Sequence, residues 1–283
     1  MSIQKVGVAG AGIMGTGIAQ VLAQAGIDVV LRDVIPGKSA KSKEIIGKTL
    51  LKLIDKGKIT GDQREALLSK IHPSEDLAEF KNADLVVEAI TENEAGKKAL
   101  LGELDSAIPP GIILASNTSS ISITRLASYT KRPEKFVGVH FFNPVPLMGL
   151  VEVIRGLATS EETIQVVTDL AKKAGKTPVV CADSPGFLVN RCLIPIINEA
   201  CFILMEGVAT PEAIDAAMKL GANHPMGPLE LADLVGLDTT LAVLEVLHRD
   251  FGDPKYRPCP LLRKYVDAGW LGRKSGRGFY KYA

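Results

Sequence analysis

Three glycines near the start of the chain, Gly10, Gly12 and Gly15, have the spacing GxGxxG. In this pattern the first glycine permits a tight turn, the second lets the backbone approach a pyrophosphate, and the third lets a helix pack close to a strand. Ile13 and Met14 would begin that helix, whose free N–H groups and partial positive charge favour phosphate binding. The spacing therefore predicts a dinucleotide site, although a glycine-rich turn without a ligand would show the same residues.

A carboxylate follows at the distance expected for a dinucleotide-binding unit. Asp33 comes directly after the next apolar segment, where it would accept hydrogen bonds from the ribose hydroxyls of the adenosine half. The same carboxylate would repel a 2′-phosphate, so the sequence favours NAD over NADP. Arg32 leaves NADP open as the alternative, because its guanidinium could turn toward such a phosphate.

A second group of residues has the chemistry of an acid/base centre. His140 ends a predicted strand, and Ser119 lies in the polar turn 117–120 that follows another. Glu152 lies in an apolar segment, where a buried carboxylate needs a partner, and His140 is the obvious one. Such a pair predicts a general base toward an alcohol or a general acid toward a ketone. The alternative is a histidine at the edge of the core whose ring is satisfied by the backbone.

These residues need a scaffold that brings distant segments together, and the first half of the chain has the pattern of a parallel α/β sheet. Apolar runs of strand length alternate there with helical stretches. The predicted strands cover residues 6–9, 28–32, 83–89, 112–116, 136–140 and 176–181. Because the carboxyl ends of such strands face the ligand crevice, we predict a Rossmann-type, doubly wound, mostly parallel sheet with the site at that edge.

A helical hairpin, predicted over residues 38–71, interrupts this alternation. Seven lysines but only two acids lie between residues 38 and 58, and Lys48, Lys52 and Lys56 share one helix face. Taken alone, such a face is better explained as solvated surface than as a binding site.

The pattern changes near residues 183–186. Beyond that point helices are predicted over residues 190–206, 211–220, 228–249 and 260–268, several with a proline near the start. We therefore place a domain boundary at residue 183, between a dinucleotide-binding domain (1–183) and an all-α C-terminal domain (184–283).

Composition and charge exclude several classes of protein. A length of 283 residues, 46% of them hydrophobic, is enough for a substantial core, and a net charge of +1 argues against disorder and against nucleic-acid binding. The four cysteines lack zinc-type spacing, so we predict no metal site and favour a reducing, cytoplasmic compartment. The uncharged stretch 6–27 contains six glycines, which argues against a signal peptide or a membrane helix.

Separate motifs along the chain resemble one family. They are VGVAGAGIMGTGIAQ (6–20), SNTSS (116–120), VGVHFFNPVPLMGLVEV (137–153), DSPGFLVNR (183–191), NHPMGPLELAD (223–233) and GRKSGRGFY (272–280). In this order they resemble the L-3-hydroxyacyl-CoA dehydrogenase family, and most closely its stand-alone bacterial 3-hydroxybutyryl-CoA dehydrogenases. The resemblance runs from Lys5 to Tyr282 without a major departure.

The resemblance implies a reaction. The enzyme would interconvert (S)-3-hydroxyacyl-CoA and 3-ketoacyl-CoA by hydride transfer with NAD(H), with 3-hydroxybutyryl-CoA and acetoacetyl-CoA as the expected pair. His140 would be the acid/base, oriented by Glu152, and Ser119 and Asn190 would hydrogen-bond the reacting end of the substrate.

The resemblance also implies binding residues and an assembly. Lys52 and Lys56 would meet the phosphates or the pantetheine of CoA. Cofactor contacts are implied for Asp33, Glu92, Lys97, Asn117, Asn143 and Lys274. A homodimer formed through the C-terminal domain is expected, with no nucleic-acid or membrane partner.

Two other functions remain open from the sequence. A β-hydroxyacid dehydrogenase acting on free acids tends to use a lysine acid/base, which His140 with Glu152 and the lysine-rich hairpin argue against. A non-catalytic NAD-binding protein on the same scaffold need not keep Ser119, His140 and Asn190 together.

Overall fold

The apolar runs of the first half of the chain form one eight-stranded sheet in the computed structural model, which describes residues 3–282. The strands are β1 (Lys5–Ala9), β2 (Asp28–Arg32), β3 (Ile71–Ser74), β4 (Leu85–Glu88), β5 (Ile113–Ser116), β6 (Phe136–Phe141), β7 (Leu150–Arg155) and β8 (Thr177–Ala182). Their order is β3-β2-β1-β4-β5-β6-β7-β8. The first six run parallel, and β7 and β8, parallel to each other, run antiparallel to β6. The predicted doubly wound, mostly parallel sheet is confirmed.

Helices surround this sheet and bury its central strands. They are α1 (Ile13–Gln24), α2 (Lys38–Asp55), α3 (Gly61–Ser69), α4 (Glu94–Ala107), α5 (Ile123–Ala127) and α6 (Glu161–Lys173). Successive residues of β1 and of β4 are buried, as expected for strands whose two faces are both covered. Apart from β3 and β7, every strand begins and ends within two residues of its predicted limits, because continuous apolar runs are a strong local signal.

Strand β3 is one of the elements of the first unit that were not predicted from the sequence, as are β7 and α6. α2 and α3 lie in the predicted hairpin, and the chain then enters β3 at Ile71 to pair with β2. β3 has only four residues and contains Pro73, which weakens any strand pattern. Its place at the edge of the sheet explains why proline is tolerated, since one side of the strand needs no partner.

The chain from Pro185 onward forms a second, all-helical unit with its own core. Its helices are α7 (Val189–Met205), α8 (Pro211–Gly221), α9 (Pro228–Val235), α10 (Leu237–Phe251) and α11 (Pro260–Asp267). The prediction of one helix over residues 228–249 is wrong. Gly236 has a φ of 104°, outside the helical region, and separates α9 from α10. The apolar periodicity continues on both sides of Gly236, so the pattern alone does not reveal the break.

Residues 3–282 contain no helix that is long and apolar enough to cross a membrane. The same part of the chain holds no cluster of three or more His, Cys, Asp or Glu side chains suited to a metal ion. The four cysteines are free thiols.

Candidate active site

The glycine turn joins β1 to α1, and its three glycines meet different steric demands. Gly10 has a φ of 114°, and a Cβ there would lie 2.5 Å from the backbone oxygen of Ala89. A Cβ on Gly15 would lie 1.8 Å from the backbone oxygen of Gly10, so α1 reaches its position only with glycine there. A Cβ on Gly12 would meet no atom within 4 Å, so the protein leaves this space open.

α1 begins without a capping side chain. Gly12 is its N-cap, no side chain bonds to the first turn, and that turn contains no acid. Ile13 is 77% exposed and Met14 is half-buried. Uncapped N–H groups beside the open space at Gly12 fit the pyrophosphate of a dinucleotide, which needs both donors and close backbone approach.

Asp33 is buried just beyond β2, and its carboxylate already has three donors. Oδ2 accepts a hydrogen bond from the N–H of Ala11 (2.8 Å) and pairs with Nζ of Lys38 (2.9 Å). Oδ1 accepts from the N–H of Ile35 (3.1 Å). Burial alone would raise the pKa of Asp33, but the bonds from Lys38 and the backbone outweigh burial and hold this pKa below its usual value. The group is therefore an anion at neutral pH, as an acceptor for ribose hydroxyls should be.

A cleft of about 380 Å³ lies beside Asp33 within the first unit. Its walls come from the glycine turn, the end of β2, the segment after β4 and one face of α4. They include Gly10, Gly12, Asp33, Ile35, Ile90 and Leu100. The walls are mostly apolar, and four charged side chains, Arg32, Asp33, Lys38 and Glu103, also line the cleft. An apolar surface with a carboxylate near the glycine turn fits the adenosine half of a dinucleotide.

Glu92 organises the turn that follows β5. Its Oε1 accepts from the N–H groups of Ser119 (2.9 Å) and Ser120 (3.1 Å), and the hydroxyls of Thr118, Ser119 and Ser120 also donate to it. Burial would raise the pKa of Glu92, but the charge of Lys97 and the bonds from the turn lower it below its usual value. One carboxylate thus accepts five hydrogen bonds from the segment that contains Ser119.

A buried ion pair lies beneath Glu92. Lys97 on α4 is 1% exposed, and its Nζ is 2.7 and 2.9 Å from the two carboxylate oxygens of Glu88 and 3.4 Å from Oε2 of Glu92. The resemblance implies that Lys97 contacts the cofactor, but the structure buries its ammonium against Glu88 and Glu92, and its role in cofactor binding stays a prediction. Glu88 was not among the residues predicted from the sequence. An acid inside an apolar strand was the available signal, because a buried carboxylate needs a partner.

His140 and Glu152 face each other across the antiparallel pair β6–β7. The register places them directly opposite, and Nδ1 of His140 lies 2.7 Å from Oε2 of Glu152. Both residues are buried. A carboxylate at Nδ1 sets the orientation and tautomer of the ring and leaves proton transfer to Nε2.

The segments after β5 and β6 lie at the same edge of the sheet, because these strands are parallel neighbours. Asn117 links them, since its Oδ1 accepts from the N–H of Phe141 (2.9 Å). Asn143 follows β6 and is exposed. The topology therefore brings Ser119, Asn117, Asn143 and His140 to the edge that also carries the glycine turn.

Four further residues implied by the resemblance belong to other elements. Lys52 and Lys56 are exposed at the C-terminal end of α2 in the first unit. Asn190 is half-buried in the first turn of α7, in the second unit. Lys274, also in the second unit, donates to both carboxylate oxygens of Asp238 (2.5 and 2.7 Å). The roles of these four residues in the site stay predictions.

Two family models and several relatives match the chain over most of its length. The model of the 3-hydroxyacyl-CoA dehydrogenase NAD binding domain matches residues 5–184, and that of the 3-hydroxyacyl-CoA dehydrogenase C-terminal domain matches residues 186–282. A Deinococcus radiodurans protein named "Probable 3-hydroxybutyryl-CoA dehydrogenase" is 60% identical over 278 residues, which are 98% of this chain and 100% of the relative. A 3-hydroxybutyryl-CoA dehydrogenase of Bradyrhizobium diazoefficiens is 54% identical over 280 residues, or 99% and 96% of the two chains. The crystal structure of an (S)-3-hydroxybutyryl-CoA dehydrogenase from Ralstonia eutropha superposes with a TM-score of 0.98 at 51% identity, and 100% of each chain is covered.

Proposed function

The chain belongs to the 3-hydroxyacyl-CoA dehydrogenase family, and we propose that it interconverts (S)-3-hydroxybutyryl-CoA and acetoacetyl-CoA with NAD(H). Family membership confirms the resemblance found in the sequence. The choice of a four-carbon substrate is supported by the names of the relatives. The observation that carries the proposal is the buried pair of His140 and Glu152, at the edge of the sheet that holds the glycine turn.

In the proposed reaction, Nε2 of His140 is the atom that gives or takes the proton. During ketone reduction, Nε2 of His140 gives its proton to the C3 oxygen of the substrate while C3 receives a hydride. The nicotinamide, when bound, is the source of that hydride. Glu152 stabilises the doubly protonated ring from Nδ1 and holds its orientation. In the oxidative direction the neutral ring takes the hydroxyl proton back.

Ser119 is the proposed donor to the reacting oxygen. Hydroxyl and amide donors stabilise charge that develops on an oxygen during the reaction, provided that they are held in place beforehand. The bond that Glu92 accepts from the Ser119 N–H supplies this restraint, and the ion pair of Lys97 with Glu88 supports Glu92 from below. The Ser119 hydroxyl, which donates to Glu92 over 3.3 Å in the free protein, exchanges that bond for one to the substrate oxygen. Asn190 is assigned a similar role from the family resemblance alone.

The first unit has the features that a bound NAD requires. The open space at Gly12 and the start of α1 fit the pyrophosphate, and Asp33 fits the adenosine ribose. Asn117, Asn143 and Lys274 are proposed to lie near the nicotinamide half, on the strength of the resemblance.

The lysines of α2 are proposed to bind the CoA portion. Lys52 and Lys56 are exposed at the end of that helix, and CoA carries several negative charges that such ammonium groups attract. The solvated-surface alternative predicts that neither lysine affects the KM for acyl-CoA.

The test is the oxidation of NADH by acetoacetyl-CoA, with free acetoacetate as the competing substrate. We expect turnover with the thioester and little with the free acid. In the variant His140→Gln, kcat should fall on the order of 10²- to 10⁴-fold while the Kd for NADH stays within about twofold. The matched control is His72→Gln, because His72 is an exposed histidine on β3. Equal loss of NADH binding and turnover in His140→Gln would mean that His140 is structural, and turnover confined to the free acid would contradict the substrate class.

We also propose a homodimer and a cytoplasmic location. The second unit exposes large apolar side chains, among them Met205, Val208, Leu220, Leu234 and Val235. Exposed apolar residues beyond those that a core needs support a subunit interface. The four free thiols support a reducing compartment.

A further inference from the structure

Lys38 places a positive charge on the carboxylate that is proposed to bind the ribose. It is the first residue of α2, and its Nζ lies 2.9 Å from Oδ2 of Asp33. The Lys38 side chain is 38% exposed, whereas the Asp33 side chain is 8% exposed, so the ammonium covers the carboxylate from the solvent side. Both residues line the cleft beside the glycine turn.

The charged groups around the Lys38–Asp33 pair largely offset one another. Arg32 lines the same cleft, and its Nε donates to the backbone oxygen of Glu75 (3.1 Å), which holds the guanidinium there. The Glu75 carboxylate accepts a hydrogen bond from the backbone just before α2. Two cations, Lys38 and Arg32, thus partly offset three carboxylates, those of Asp33, Glu75 and Glu103, and leave one net negative charge. Without Lys38 the same groups would carry two net negative charges and would repel a 2′-phosphate more strongly.

We propose that Lys38 is a cofactor-specificity residue, which narrows the preference for NAD(H) over NADP(H) that Asp33 alone would impose. Its ammonium both offsets the charge of Asp33 and provides a charge-assisted donor for a phosphate on the 2′ oxygen. The lowered pKa of Asp33 agrees with a close cationic partner. This inference rests on the dinucleotide site of the proposed function and is independent of the acyl substrate.

The test compares the affinities for NADH and NADPH by fluorescence titration without substrate. The wild type is measured beside Lys38→Met, Lys38→Arg and the control Lys41→Met, since Lys41 is exposed on the same helix and does not line the cleft. We expect Lys38→Met to raise the ratio of Kd for NADPH to Kd for NADH about tenfold, equivalent to about 1.4 kcal/mol. Lys38→Arg keeps the charge and should stay within about threefold of the wild-type ratio, and Lys41→Met should not change it.

Ratios that agree within twofold among wild type, Lys38→Met and Lys41→Met would overturn the proposal. A ratio that falls in Lys38→Met would overturn it too, because the lysine would then favour the ribose hydroxyls over the phosphate. These measurements contain no acyl-CoA, so a failure to oxidise NADH with acetoacetyl-CoA would bear on the proposed function alone.

Discussion

At the scale of residues, the site depends on carboxylates that act through a neighbour. Glu152 orients His140, Glu92 holds the turn of Ser119, and Glu88 fixes the lysine beneath Glu92. A carboxylate removed from water is unfavourable by several kcal/mol unless donors satisfy it, so each of these groups has dedicated partners. Because the partners are fixed, the groups that would touch the substrate are positioned before it binds.

The role of Glu152 can be tested by removing its charge while keeping its shape. In Glu152→Gln an amide oxygen can still accept from Nδ1 of His140, but no charge remains to stabilise the doubly protonated ring. We expect kcat for acetoacetyl-CoA reduction to fall on the order of 10²-fold, with an unchanged Kd for NADH. Glu161→Gln, an exposed acid at the start of α6, is the control. Wild-type kcat in Glu152→Gln would show that the charge of the pair does not contribute to the reaction.

At the scale of elements, the turn between β1 and α1 separates a structural glycine from a functional one. Gly15 allows α1 to pack, since its Cβ would lie 1.8 Å from a backbone oxygen, whereas Gly12 borders open space. No contact within residues 3–282 requires glycine at position 12, so the space beside Gly12 is available to a ligand. The open space, together with the uncapped start of α1, supports a phosphate there.

The two alanine variants of this turn should therefore behave differently. Gly15→Ala should lower the free energy of unfolding by about 1–3 kcal/mol, because the methyl group displaces α1 from β1. Gly12→Ala should unfold at the wild-type urea concentration, since its φ of −78° suits alanine, and yet bind NADH at least about tenfold more weakly. Urea titrations and NADH fluorescence measure both effects. Wild-type affinity for NADH in a folded Gly12→Ala protein would exclude the pyrophosphate from this space.

At the scale of the whole molecule, the two units have separate apolar cores. Val8 and Val87 belong to the core of the first unit, and Ile197 and Leu244 to that of the second. The second unit buries its own core and still exposes large apolar residues, which is the physical basis for the proposed dimer.

Light scattering coupled to size-exclusion chromatography measures the assembly directly. We expect a mass of twice 30.1 kDa at micromolar protein concentration. The thermal midpoint should also rise with protein concentration, because dissociation accompanies unfolding of an obligate dimer. A mass of one chain throughout this range would contradict the dimer.

The sequence by itself determines the parts of this protein that depend on neighbouring residues. The glycine spacing specifies the turn, continuous apolar runs specify most strands, and the polar strand ends place Asp33 and His140 at one edge. It also predicts that Glu152 needs a partner, because an apolar segment offers a carboxylate no water. These inferences succeed because backbone sterics and the burial of apolar side chains act over short stretches of chain.

Only the tertiary structure decides what depends on pairing between distant segments. The antiparallel register sets Glu152 opposite His140, strand order joins β3 to the sheet edge, and packing puts Lys97 beneath Glu92. The ion pair of Lys38 with Asp33 likewise depends on the packing of α2 against the end of β2. Local periodicity carries no information about register or about which charges meet across the fold, because those choices minimise the free energy of the whole unit rather than of one segment.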